Sequence, residues 1–131
     1  MRLVLTACGL ALALAACAPR RGAPPQPPPP HLDTYKRIVA LDILQHQPGA
    51  YCQPGEEMLK SIVVLDIAID AEGRLVEASV LRSNSHPDLA QRALDAVNAA
   101  APYTAPGQGV QFLETFLFRD DDCFLIRSLA R

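Results

Sequence analysis

Alternation of apolar and polar positions is clearest between Ile62 and Ser83, which reads I-V-V-L-D-I-A-I-D-A-E-G-R-L-V-E-A-S-V-L-R-S. Two runs rich in β-branched residues flank Asp70-Ala71-Glu72-Gly73. There Asp can close a local turn with its side chain and Gly can take positive φ without a Cβ clash. This is the pattern of a β-hairpin. With those four residues as the loop, Val63, Leu65 and Ile67 fall opposite Val80, Ala78 and Val76, and period-2 alternation sets all six on one apolar face. A two-stranded ribbon is marginal in water, so other parts of the chain must cover that face.

Helical periodicity on either side supplies the cover. Asp33 or Thr34 is placed to cap a helix with the apolar stripe Tyr35, Ile38, Val39 and Leu41 to Leu44, which stops at the breaker Gln47-Pro48-Gly49. Ala50 to Glu57 reads as a loop carrying Cys52, and the first strand starts at about Leu59. After the hairpin, Ser85 is placed as a cap with Asp88 three residues on, and Leu89, Ala93, Leu94, Val97 and Ala100 recur at helical spacing until Pro102. Tyr103 to Gly109 is a Pro/Gly-rich turn, and Val110 to Phe118 is a strand with Phe112, Phe116 and Phe118 as its bulk. Asp120-Asp121-Asp122 breaks it, and Cys123 to Ile126 offers a short last strand. The predicted fold is α+β: order α-β-β-α-β with an optional C-terminal β, a small antiparallel sheet with two helices on one face, over residues 32–131.

The first 31 residues follow another pattern. Basic Met1-Arg2 precedes the apolar run Leu3 to Leu14, of export-signal length and too short for a permanent membrane span. Leu14-Ala15-Ala16-Cys17 resembles the bacterial lipobox, which makes 1–16 a lipoprotein signal and Cys17 the lipidated residue; an ordinary signal cut near Ala18 is the alternative. Ala18 as the next residue resembles the enterobacterial pattern for outer-membrane sorting. Residues 17–31 then form a tether, its Pro24 to Pro30 stretch favouring extended polyproline II at about 3.1 Å per residue. The expectation is a protein in the cell envelope, lipid-anchored and facing the periplasm, at the outer membrane.

Export bears on the cysteines. Cys8 and Cys17 belong to the signal and lipobox, which leaves Cys52 and Cys123 in an oxidising compartment. A disulfide is the favoured reading, closing a loop of about 70 residues and contributing on the order of 4 kcal/mol. Two buried thiols or a metal pair remain alternatives, metal the weakest because no His lies at ligand spacing. A net charge of −2 without a basic block argues against nucleic acid as a partner.

Candidate chemistry is sparse. Ser83, Ser85 and His86 cluster without a nucleophile elbow, and Asp120-Asp121-Asp122 lacks the spaced ligands of a calcium loop, so the first reads as capping and the second as a solvated turn. His31 and His46 mark the ends of the first helix. The expectation is no enzyme, no catalytic residue, no metal and no cofactor.

Taken in order, Val63 to Ile69, Asp70 to Gly73, Arg74-Leu75-Val76, Ser83-Asn84-Ser85, Leu89 to Val97, Pro102-Tyr103, Pro106 and Phe116-Leu117-Phe118 resemble the TonB C-terminal family, and more distantly TolA, over roughly Lys60 to Phe118. The chain departs from the pattern at Asn84-Ser85 and Ala90. The family's energised members carry an N-terminal transmembrane helix and a long Pro-rich span, where a lipid signal and short linker stand here; the domain reads as kept for binding and detached from the motor. A terminal strand leaves backbone groups that accept an extended peptide. The resemblance implies that mode, with a segment of an outer-membrane receptor or other envelope protein as the peptide. The partner-binding candidates are Val110, Phe112, Glu114, Phe116 and Phe118, and the same edge could pair a homodimer. The alternative is a structural or regulatory envelope lipoprotein with no transport partner.

Overall fold

The structure, a computed structural model, describes residues 31–55 and 58–130. The expected export signal, the expected lipidation residue Cys17 and the Pro-rich linker lie outside the described residues. Helix α1 spans Leu32–His46, strands β1 Leu59–Ile69 and β2 Leu75–Ser83 form the hairpin, helix α2 spans Pro87–Ala100, and β3 Val110–Arg119 and β4 Phe124–Ile126 complete the sheet. A short 3-10 turn, Arg127–Leu129, follows. The sheet is antiparallel with order β2-β1-β3-β4. Val63, Leu65, Ile67 and Ile69 of β1 and Phe112, Phe116 and Phe118 of β3 face both helices in one core, with Val39 and Ile43 of α1 and Leu89, Ala93 and Val97 of α2. The small side chains of α2 let it sit close against the sheet.

The hairpin loop is built as its sequence requires. The Asp70 carboxylate accepts the backbone N–H groups of Glu72 and Arg74 and the Arg74 guanidinium at 2.8 Å. Partial desolvation pushes the Asp70 carboxyl up, but those donors outweigh it and leave it below the usual carboxylate value. Gly73 has φ +94°, and a Cβ there would stand 2.1 Å from the Tyr103 carbonyl oxygen. Glycine is needed because the Tyr103 loop docks on this turn, with the Tyr103 N–H donating to the Gly73 carbonyl at 2.8 Å.

The register differs from the two-residue alternation expected. Leu65 lies opposite Val80, Ile67 opposite Ala78, Ile69 opposite Leu75 and Val63 opposite Ser83, with irregularities between Ala68 and Ile69 and between Val64 and Leu65. Two extra residues therefore sit on β2, and Val76, expected on the core face, is bulged out and 67% exposed. The caps differ too. Helix α1 starts one residue before Asp33, with His31 as N-cap, and α2 starts at Pro87 after His86, so neither Asp33, Thr34 nor Ser85 caps a helix. Ser85 instead takes φ 62° in the connecting turn. Asn84 does the terminal work, accepting the Ser61 hydroxyl at 2.9 Å and the Ile62 N–H at 2.7 Å.

Candidate functional site: the open half of the third strand

Strand β3 has two halves with different neighbours. Its last residues, Phe116 to Phe118, pair with Ile126 to Phe124 of β4. Its first six, Val110 to Thr115, pair with β1 on one side only among the described residues. The tail therefore covers the end of the edge and leaves its start open. The Thr115 N–H is directed away from β1, since it meets the Glu114 carboxylate at 3.0 Å. Alternate residues of a strand point their N–H groups the same way, so Gln111 and Leu113 present theirs along the same open edge.

All five partner-binding candidates turn their side chains inward. Val110, Phe112, Glu114, Phe116 and Phe118 are buried, so a peptide beside this strand meets its backbone and the outward residues Gln111, Leu113 and Thr115. Glu114 is the exceptional one, a carboxylate only 2% exposed. One oxygen accepts the Thr115 N–H and the other the Ser128 hydroxyl, which together satisfy it. It stands where the carbonyl of an added strand would meet Thr115.

Beside the open half lies a recess of about 440 Å³. Val64, Leu113 and Thr115 form its sheet wall, the first turns of α1 bring Lys36 and Arg37, and the tail brings Arg127 and Ser128. Lys36 Nζ lies 5.9 Å from the centre of the Phe112 ring, which holds it against the strand. The cations were not legible as a site because α1 and the tail meet at β3 only through the tertiary fold. The inward parity of Glu114 in V-Q-F-L-E-T-F-L-F was a usable signal, since a carboxylate among buried aromatics demands donors.

The opposite edge, β2, is unpaired along its outer side among the described residues, but its two irregularities and its Glu77 and Arg82 blunt it against strand addition.

Cys52 and Cys123 are joined as a disulfide, with Cα atoms 4.9 Å apart. Asp121 lies beside the sulfurs, but two sulfurs bonded to each other offer no thiolate to a metal. In the acidic run, Asp122 pairs with Lys60 at 2.8 Å, and that hydrogen bond holds its carboxyl below the usual carboxylate value. Its carbonyl accepts Arg92, so the run ties the β3–β4 turn to β1 and α2. Ser83 ends β2, Ser85 lies in the turn and His86 is the N-cap of α2, while His31 and His46 stand at the two ends of α1. No helix among the described residues is long and apolar enough to cross a membrane.

Residues 57–119 match the family described as Gram-negative bacterial TonB protein C-terminal, which contains the hairpin, α2 and β3. Among solved structures, the solution NMR structure of the Helicobacter pylori TonB C-terminal domain is similar, with a TM-score of 0.48 and 20% identity over 63% of this chain and 80% of that one. No curated protein shows a significant match to the chain.

Proposed function

We propose that this TonB C-terminal-like domain is a non-catalytic binding module of the bacterial envelope that takes an extended segment of an outer-membrane receptor or other envelope protein as an added strand on β3. One observation carries the reading: the backbone N–H groups of Gln111 and Leu113 are aimed along an edge that the sheet leaves open, while Thr115 is met by the Glu114 carboxylate and the rest of β3 is closed by β4. Main-chain hydrogen bonds there give affinity, and outward side chains give selection. The family match supports the placement in the envelope, and the lipobox-like Leu14 to Cys17 supports a lipid anchor facing the periplasm, at the outer membrane.

A photocrosslinking residue at Leu113, compared with one at Glu77 on the outer face of β2, tests the partner in whole cells. A defined envelope protein captured from position 113 and not from 77 is the expected result; equal capture from both, or none, would sink the proposal. The anchor has its own test. Cys17→Ser should move the protein from the membrane fraction to the soluble periplasm, and unchanged fractionation with normal processing would exclude lipidation.

A further inference from the structure

We infer that the recess beside the open half of β3 selects an extended segment carrying acidic residues at alternate positions, on the side that faces α1. The inference rests on strand addition at that edge and specifies what the added strand must look like.

A strand laid against Gln111 to Thr115 has two rows of side chains. Those on one row lie level with Leu113 and Thr115, beside the half-buried Val64 and the 47% exposed Leu113, and this wall suits apolar or β-branched residues. Those on the other row lie level with Phe112 and Glu114, on the face that α1 covers, and meet the part of the recess lined by Glu114, α1 and the tail. There Lys36, Arg37 and Arg127 converge from two elements far apart in sequence. No ion pair engages any of the three among the described residues, where the ion pairs are Lys60 with Asp122 and Arg74 with Asp70 and Glu72.

Two acidic groups share the recess and neither cancels this excess. Glu114 is buried and its two oxygens are taken by Thr115 and Ser128. Asp33 sits in the first turn of α1, where the helix N-terminus already favours a negative charge. An acidic row therefore meets cations, and a basic row is repelled. The length is bounded as well. From Thr115 on the place of an added strand is filled by the Glu114 carboxylate, Ser128 and then β4, so the segment pairs beside Val110 to Glu114, about five residues, and then leaves the sheet.

Three end-blocked peptides of about eight residues, alternating valine with glutamate, with threonine or with lysine, separate the possibilities. Binding to the oxidised protein is followed by the backbone amide signals of Gln111 and Leu113 and by fluorescence anisotropy. Exposed ion pairs each change affinity by up to about fivefold, so the glutamate peptide should bind roughly tenfold more tightly than the threonine peptide at low salt. The advantage should shrink at about 0.5 M salt through screening. Arg37→Glu with Arg127→Glu, both exposed positions, should abolish it while leaving threonine-peptide binding in place. Equal binding of the glutamate and threonine peptides at those amides would overturn the acidic selection and leave strand addition standing. Failure of all three to shift Gln111 and Leu113 would overturn both readings. Concentration-dependent broadening at those amides without peptide, marking a second copy on the edge, would overturn the selection as well.

Discussion

Three residues show how single positions set this domain's tolerance. Gly73 combines φ +94° with a carbonyl 2.1 Å from where a Cβ would stand, so Gly73→Ala should destabilise by about 2–3 kcal/mol through backbone strain and displacement of the Tyr103 loop. Chemical denaturation measures this, and a change within about 0.5 kcal/mol would show that the loop yields freely. Leu65 is fully buried and lies opposite Glu114 on β3, so Leu65→Asp sets an unpaired charge in the core beside a carboxylate already there. That variant should not fold, whereas Glu77→Lys on the exposed face should be near neutral. Tyr35 links α1 to the loop after α2, donating its hydroxyl to the Thr104 carbonyl at 2.8 Å. Burial, with the Asp42 and Asp70 carboxylates adding to it, pushes its phenol up from 10.0 to about 12. The raised group is neutral in the folded state, so its contribution is whole below pH 10 and is lost as pH rises through 12. Tyr35→Phe should flatten the fall in stability across that alkaline window, read from denaturation midpoints.

At the scale of elements, β3 is defined by which of its two sides is taken. Leu113 directs its N–H to the open edge, so Leu113→Pro removes an edge donor and spares the ladder with β1. Phe112→Pro removes a bond to β1 within the core and should unfold the sheet. The expected outcome is a folded Leu113→Pro protein that no longer binds an added strand; retained peptide binding would show that this edge is not the site. The order α-β-β-α-β and the short last strand were legible because each element carries its own period: alternation through Val63 to Ile69, a spacing of three and four through Leu89 to Ala100, and Phe residues at every second place near the end of β3. The bulges were not. Val76 and Leu81 are apolar residues in a strand-like run, and it is the two irregularities in the ladder with β1, each skipping one of them, that turn them outward. The caps were missed for a related reason: Asp33 and Ser85 are good capping residues, but packing fixed the helix starts at Leu32 and Pro87. The candidate edge was named from its strand, while the cations over it come from α1 and the tail, whose meeting no local pattern announces.

Over the whole molecule, the disulfide, β4 and the 3-10 turn form one closure that determines how much of β3 a partner can reach. The bond joins residues 71 apart, which in the chain-entropy model contributes on the order of 4 kcal/mol. A tail held only by that bond would leave the sheet on reduction and lengthen the open edge. Here it is held in other ways too. Phe124 and Ile126 are buried, with the Phe124 ring centre 5.3 Å from that of Phe116 and 5.7 Å from that of Phe118. The Phe124 N–H donates to the Ala50 carbonyl and its carbonyl accepts the Cys52 N–H, both at 3.0 Å. Burying one Phe alone contributes roughly 1.5–3 kcal/mol, so the strand has reason to stay when the bond is gone. Cys123→Ser should therefore lower stability by a few kcal/mol while the amide signal of Leu117, whose N–H faces β4, keeps its protection from exchange and affinity for an added strand stays unchanged. Phe124→Ala, with the disulfide intact, should loosen β4 and expose the Leu117 amide, extending the edge past Thr115. A Cys123→Ser protein that binds an extended peptide more tightly than the oxidised form, with the Leu117 amide unprotected, would show instead that the disulfide itself holds the end of the edge closed.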